Sequence, residues 1–153
     1  MLKKLELAEM AAAAVVMRTS FDRALPTLAG LHTPEEDRWF FEERLFRDGE
    51  VWGAFDERGL VGIIAFRRGG TDQSGAGSID QLYVLPDAQG RGLGSRLLEV
   101  AKSAFPRLCL WTFQRNIRAR RFYERHGFVL VRETDGAGNE EKEPDALYCW
   151  PRA

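Results

Sequence analysis

The sharpest alternation of apolar and polar positions lies in the second half of the chain. An apolar run at residues 79–85 closes in Pro86-Asp87, and a glycine-rich stretch follows at 89–95. Apolar positions then recur at Leu93, Leu97, Val100, Ala101 and Ala104, a spacing of three and four residues that gives a helix one buried face. Pro106 stops that helix, since proline has no N–H to offer and crowds the turn before it. The pattern predicts strand, glycine turn, helix.

The rest of the chain fills in around this unit. Residues 2–7 alternate roughly and read as an edge strand, and the alanine-rich residues 8–17 read as a helix. Residues 20–31 carry Phe21, Leu25, Pro26, Leu28 and Leu31 without a clean period, and are expected to form a loop packed over the body of the protein. At His32-Thr33-Pro34-Glu35-Glu36 a helix starts. Thr33 caps it, Pro34 takes the first helical position and Glu36 completes a capping box. This helix is expected to reach Phe46, with Trp39, Phe40, Glu43 and Phe46 toward one side.

Residues 50–56 and 60–67 form a hairpin around Glu57-Arg58-Gly59, and residues 68–77 form a polar, glycine-rich loop. In the strand at 79–85, simple alternation puts Ile79, Gln81, Tyr83 and Leu85 on one face and Ser78, Asp80, Leu82 and Val84 on the other. A strand at 108–113, a helix at 116–125, a strand at 128–133, a polar loop at 134–144 and a strand at 145–150 complete the order β-α-α-β-β-β-α-β-α-β-β. Hairpins mixed with crossovers mean a mixed sheet with helices laid on it.

Composition narrows the classes. A chain of 153 residues with 44% hydrophobic and 29% charged residues suits one globular domain, here residues 1–153. The net charge of −1 asks for neither nucleic acid nor an anionic membrane as a partner. No apolar run approaches the ~20 residues of a membrane span, and a secretory leader is not expected. Cys109 and Cys149 stand alone on apolar stretches, without a CxxC or a Cys/His cluster, and are expected to be buried free thiols; no metal is expected. The arginines at 115, 118, 120, 121 and 125 read as a solvated helix face, with one or two near a ligand phosphate.

The glycine stretch is the candidate binding element. Glycines permit positive φ and close ligand approach, and a helix start offers unpaired N–H groups to a phosphate. The stretch is no P-loop, because Gly94 is followed by Ser95-Arg96 where Lys-Ser or Lys-Thr is needed. Nor is it a dinucleotide fingerprint, because the third glycine comes one residue early. It fits instead Gln/Arg-x-x-Gly-x-Gly/Ala, through Gln89, Gly92 and Gly94. Residues 116–128 fit Asn-x-x-Ala-x-x-Phe-Tyr-x-x-x-Gly-Phe, through Asn116, Ala119, Phe122, Tyr123, Gly127 and Phe128.

Those two motifs, in this order and within this order of elements, resemble the GNAT superfamily of acyl-CoA N-acyltransferases. The resemblance covers residues 50–150 well and the first two helices in placement only. It implies an α/β fold with a central, mostly antiparallel, splayed sheet flanked by helices. The strands at 79–85 and 108–113 would part, and acetyl-CoA, the cosubstrate, would enter the gap. Leu82, Tyr83 and Val84 would pair with the amides of its pantetheine arm. Its pyrophosphate would sit on the N–H groups of Gln89, Gly90, Arg91, Gly92, Leu93, Gly94 and Ser95. Asn116 would cap its helix, bond the cofactor, or both.

The resemblance also places Tyr123 beside the thioester sulfur as the acid that protonates the leaving thiolate; a plain core aromatic is the other reading. For the base, Asp80 is the first candidate, with His32, Glu35, Glu141 and Asp145 as others. The acceptor, a small-molecule or peptide amine, would lie against residues 21–35 and the loop at 134–144. Trp52, Trp111 and Phe113 are expected in the core, with Trp111 also a candidate for the acceptor channel. A cytoplasmic N-acetyltransferase working by direct transfer, with a homodimer through the C-terminal strands, is the resulting expectation. A non-catalytic acyl-CoA-binding domain is the rival.

Overall fold

The computed structural model describes residues 1–70 and 76–151. The predicted loop at 68–77 falls largely outside the described residues. Seven strands form one sheet in the order β1-β2-β3-β4-β5-β7-β6. They are β1 (Leu2–Lys4), β2 (Glu50–Asp56), β3 (Gly59–Arg68), β4 (Gly77–Val84), β5 (Leu108–Phe113), β6 (Val129–Thr134) and β7 (Asp145–Trp150). Every neighbouring pair is antiparallel except β4 and β5, so the mixed, mostly antiparallel sheet is as expected.

Two apolar layers sandwich the sheet, and β3 shows why. Its residues Val61 to Phe66 are buried without a break, because Ile63 and Ala65 join one layer and Ile64 and Phe66 the other. The first layer lies under α4 (Leu93–Ala104) and α5 (Ile117–Arg125), and holds Leu97, Leu98, Ala101 and Tyr148. Leu98 is fully buried and Ala104 exposed, which rotates the buried face of α4 slightly from the one the spacing gave. The second layer lies under α1 (Met10–Ala24) and α2 (Pro34–Phe40), and holds Met10, Met17, Phe41 and Ile63.

The first third of the chain departs most from its sequence pattern. Helix α1 runs on to Ala24, taking in residues read as loop, because Ser20 and Phe21 continue its buried face. Ser20 satisfies its hydroxyl on the Val16 carbonyl one turn back, at 2.8 Å. Helix α2 opens with the capping box as read: Thr33 Oγ1 accepts from the Glu36 N–H and Glu36 Oε1 from the Thr33 N–H. It then passes through a π turn at Phe41–Leu45 into a short α3 (Phe46–Asp48). Phe41 and Leu45 of this turn are buried together with Asp37, while Trp39 and Phe40 face outward.

The cysteines also overturn their reading. Residues 109 and 149 are direct partners in the β5–β7 register, with Cα atoms 4.1 Å apart, and are joined as a disulfide. Forty residues of sequence separate them, so no spacing signal announced a pairing that strand register alone creates.

Candidate functional site

Strands β4 and β5 pair only over three residues, Gly77, Ser78 and Ile79 of β4 against Leu108, Cys109 and Leu110 of β5. Beyond Ile79 the two strands part. The β5-facing edge of β4 from Asp80 to Val84 therefore has no strand partner, and a gap opens at its end. Two cavities occupy this region.

The first cavity, about 370 Å³, lies between the end of β4, the start of α4 and the inner face of α5. The turn ahead of α4 shapes it. Gly90 has φ +83° and Gly92 φ +78°, both in the left-handed region, and Gly92 is the N-cap of α4 with no side chain over it. Its carbonyl takes the first helical bond from the Arg96 N–H at 3.1 Å, leaving the N–H groups of Leu93, Gly94 and Ser95, which line the cavity, without a partner inside the helix. Gly94 serves packing: a Cβ there would touch the Phe122 ring at 3.4 Å. Gln89 holds the turn onto the strand by donating to the Val84 carbonyl at 3.0 Å.

Ten of the residues named for cofactor contact in the sequence line this cavity beside Tyr123: Leu82, Tyr83, Val84, Gln89, Gly90, Gly92, Leu93, Gly94, Ser95 and Asn116. Arg91 is the exception. Its guanidinium turns back to Asp56 at 3.3 Å and the Asp87 carbonyl at 3.5 Å, tying the turn to the β2–β3 hairpin. Asn116 caps α5 through Oδ1, which accepts from the Ala119 N–H at 3.2 Å, and this leaves its Nδ2 donors for a ligand.

Tyr123 is 8% exposed, with its ring against Phe122 and Phe128, and among the described residues its hydroxyl has no hydrogen-bond partner. Burial first, and then the neighbouring Tyr83, raises its pKa above the ordinary phenol value. The phenol is therefore protonated at neutral pH, able to give a proton to a stronger base in the cavity.

Sequence reasoning missed His126. Its Nε2 lies 3.0 Å from Ser95 Oγ and its ring against Phe122, so it pins the start of α4 to the end of α5. Burial, with Lys102 and Arg125 nearby, lowers its pKa. Of the five arginines around α5, Arg118 and Arg125 line the cavity. Arg115 is held by Glu143 at 2.9 Å and Arg120 by the Tyr148 hydroxyl at 2.8 Å.

The second cavity, about 640 Å³, lies on the other side of the same opening, between α1, α2 and the β6–β7 loop. A β-bulge decides what faces it. Ala65 of β3 pairs with Gln81 but the next residue, Phe66, pairs with Ile79, so Asp80 is an extra residue in β4. The alternation slips there. Ile79 packs in the same layer as Leu82 and Val84, not with Tyr83, while Asp80, Gln81 and Tyr83 all line the second cavity. The two faces read from simple alternation are thus corrected at one residue, the re-aiming that bulges perform.

Asp80 takes an arginine partner, Arg67 Nε, at 2.8 Å. Burial nevertheless outweighs that charge and raises its pKa above the ordinary aspartate value. His32, Glu35 and Glu141 line the cavity too; Asp145 does not, because Thr134 and Asn139 bind it in a separate pocket. Trp111 is 40% exposed on the cavity wall and not in the core. Tyr83 lines both cavities and is the point at which they meet; burial pushes its phenol up to about 12.

Comparison with known proteins adds independent findings. The model of the acetyltransferase (GNAT) domain family matches residues 47–130. The peptidyl-lysine N-acetyltransferase YiaC of Escherichia coli is 26% identical over 128 residues, which cover 83% of this chain and 72% of that protein. The mycothiol acetyltransferase of Geodermatophilus obscurus is 32% identical over 111 residues, which cover 63% of this chain and 36% of that protein. Among solved structures, PaiA N-acetyltransferase from Thermoplasma acidophilum in complex with coenzyme A superposes with a TM-score of 0.73 at 19% identity, covering 99% of this chain and 98% of that one. An acetyltransferase from Thermus thermophilus superposes at 0.77 with 20% identity, covering 99% and 97%.

Proposed function

Because the chain belongs to the GNAT acetyltransferase family, we propose that it transfers an acetyl group from acetyl-CoA directly to an amine held in the second cavity. The observation that carries this reading is the meeting of two cavities at Tyr83, one backed by a glycine turn and a helix start, the other rich in carboxylates and aromatic rings. The pyrophosphate is taken by the N–H groups from Gln89 to Ser95, with Arg118 and Arg125 supplying positive charge. The pantetheine amides pair with the open edge of β4 at Leu82 to Val84, and Asn116 Nδ2 bonds the same arm. The thioester then lies beside Tyr123 and faces the second cavity.

The amine nitrogen attacks the thioester carbonyl carbon, the C–S bond breaks, and Tyr123 gives its proton to the departing thiolate. A phenol with a raised pKa is a weaker acid than one in water, but the thiolate forms in the same dry environment, which raises its proton affinity too. The proton lost by the amine goes to a carboxylate of the second cavity, which we assign to Asp80, directly or through water. Its raised pKa makes it a better proton acceptor than an exposed aspartate.

Incubation with acetyl-CoA and a panel of amines should yield free CoA and acetylated amine, read by thiol titration and mass spectrometry. No transfer to any amine by protein that binds acetyl-CoA would leave only a cofactor-binding domain. The base assignment has its own test. Asp80 works deprotonated, so kcat should be lost as pH falls through its raised pKa, above the ordinary aspartate range. The Asp80→Asn enzyme should lack that acid limb, and a limb that persists there but vanishes in Glu141→Gln would move the role to Glu141.

A further inference from the structure

The lining of the second cavity says what kind of amine it takes. Leu31, Trp39, Phe40 and Trp111 are 50%, 56%, 37% and 40% exposed, and all four line this one concavity. Large apolar side chains scattered singly over a surface need no explanation, but four gathered in a concavity mark a surface kept for a ligand. The apolar wall continues inward. Phe21 meets Phe113 edge to face at 6.3 Å and Tyr83 at 6.5 Å, so rings lead from the mouth to the tyrosine shared with the first cavity.

Charge adds the second half of the argument. Glu35, Glu36, Asp37, Asp80, Glu140 and Glu141 line the cavity; among the described residues the one guanidinium lining it is Arg18, and Arg132 lies over the Trp111 ring of its wall, 5.3 Å from the centroid. Arg18 answers Asp37 and Arg67 answers Asp80. Glu36 accepts from the Thr33 N–H, and Glu140 lies 3.2 Å from His32 Nε2. Glu35 and Glu141 make no hydrogen bond or ion pair among the described residues. Glu141 lines the cavity next to Glu140, and its charge raises the pKa of the Tyr83 phenol. Uncompensated carboxylates beside ring faces attract an ammonium and repel an anion.

Size adds a third constraint. The contact between His32, ahead of α2, and Glu140, in the β6–β7 loop, ties the two sides of the cavity together over a volume of about 640 Å³, that of a small-molecule site.

We infer that the acceptor is a small primary amine with a ring-bearing apolar body and no carboxylate of its own. Its nitrogen lies at the inner end, near Tyr83, Asp80 and Glu141, and its ring lies against Trp39, Phe40 and Trp111. This rests on the N-acetyl transfer proposed above and names the substrate class of that site.

The test compares kcat/KM for 2-phenylethylamine, butylamine, putrescine, phenylalanine and a lysine-containing peptide at saturating acetyl-CoA. 2-Phenylethylamine should exceed butylamine by about tenfold or more, the discrimination an apolar pocket gives for added apolar bulk. It should exceed phenylalanine, which adds only a carboxylate, by at least about as much. In the double variant Trp39→Ala/Trp111→Ala the ratio of 2-phenylethylamine to butylamine should fall toward one, with the KM for acetyl-CoA held. Preference for any of the other four acceptors, or an unchanged ratio in the double variant, overturns the inference.

Calorimetric titration of the two ring-bearing amines without cofactor separates this from the reading beneath it. If no amine is acetylated, N-acetyl transfer fails; tighter binding of 2-phenylethylamine than of phenylalanine would still support the cavity's selectivity, and equal affinities would overturn it.

Discussion

The two cavities share Tyr83 and both draw on α1 and β4, yet they are built in different ways. The first is made mainly of backbone: the positive-φ glycines at 90 and 92, the start of α4, and the unpaired edge of β4. Its residues come from four segments, α1, β4, the turn with the start of α4, and α5, the middle two adjacent in sequence across one strand-turn-helix unit. The second is made of side chains from five segments: α1, α2 with the residues before it, β4, β5 and the β6–β7 loop. A backbone site tolerates few residue types and fixes their spacing. A side-chain site fixes only chemistry, and so can be retuned one residue at a time. On the proposed function, one region serves the cofactor that every acetyl transfer needs, and the other serves the acceptor that makes this one particular.

The largest effect is expected in the first region, at Tyr123. Tyr123→Phe keeps the ring against Phe122 and Phe128 and removes only the proton donor. Single-turnover acetyl transfer should fall by on the order of 10²-fold or more, the usual worth of a general acid, with the KM for acetyl-CoA little changed. An unaltered rate would make Tyr123 a packing residue.

The next largest effect lies in the second region. Arg18 grips Asp37 with two bonds of 2.8 Å, which ties α2 to α1. Asp37→Ala leaves that guanidinium with only its 3.4 Å contact to Asp22. Urea unfolding should show a loss of about 2 kcal/mol, less than a fully buried pair would cost. The KM for the amine should rise while calorimetric affinity for acetyl-CoA stays near its original value.

The same division explains what the sequence disclosed. The order of strands and helices was legible because most of them are long enough to show a period, and the capping box at Thr33 because it is local. The turn ahead of α4 was legible because glycine spacing encodes backbone shape; Arg91 keeps its backbone in that turn while its side chain pairs with Asp56. What stayed hidden depends on register or on distance. One extra residue at Asp80 flips the faces of β4 and leaves no mark in the alternation of a short strand. Cys109 and Cys149 meet only through the β5–β7 register. The π turn at Phe41–Leu45 left no mark in the sequence, and the exposed Trp39 and Phe40 just before it line the second cavity.

The reciprocal perturbation belongs to the first region. Gly92 has open space where a Cβ would stand, so the objection to Gly92→Val is its φ of +78° and not a clash. A β-branched residue is strained there, and relief of the strain moves the N–H groups ahead of α4. Acetyl-CoA affinity should weaken by roughly tenfold or more, over ~1.4 kcal/mol. Binding of the amine alone, followed by calorimetry, should be unaffected. Loss of both together would mean that the two cavities are one cooperative unit.

The mildest probe is Thr33→Ala, and it tests whether the second region responds to local order. Thr33 Oγ1 accepts from the Glu36 N–H at 3.1 Å, and Glu36 accepts in turn from the Thr33 N–H at 2.7 Å. Removal of the hydroxyl leaves one helix-start donor to water and should cost about 1 kcal/mol of stability. His32, whose imidazole reaches Glu140 across the cavity, is the residue just before this cap. A frayed helix start frees His32 to wander, so the contact across the mouth is made less of the time. The KM for the amine should therefore rise by about twofold, a fraction of the cap's worth at 1.4 kcal/mol per tenfold, with acetyl-CoA affinity unmoved. Thr33→Ser restores the acceptor oxygen and should restore both stability and KM. A rise in KM that Thr33→Ser fails to reverse would detach the mouth of the cavity from the cap.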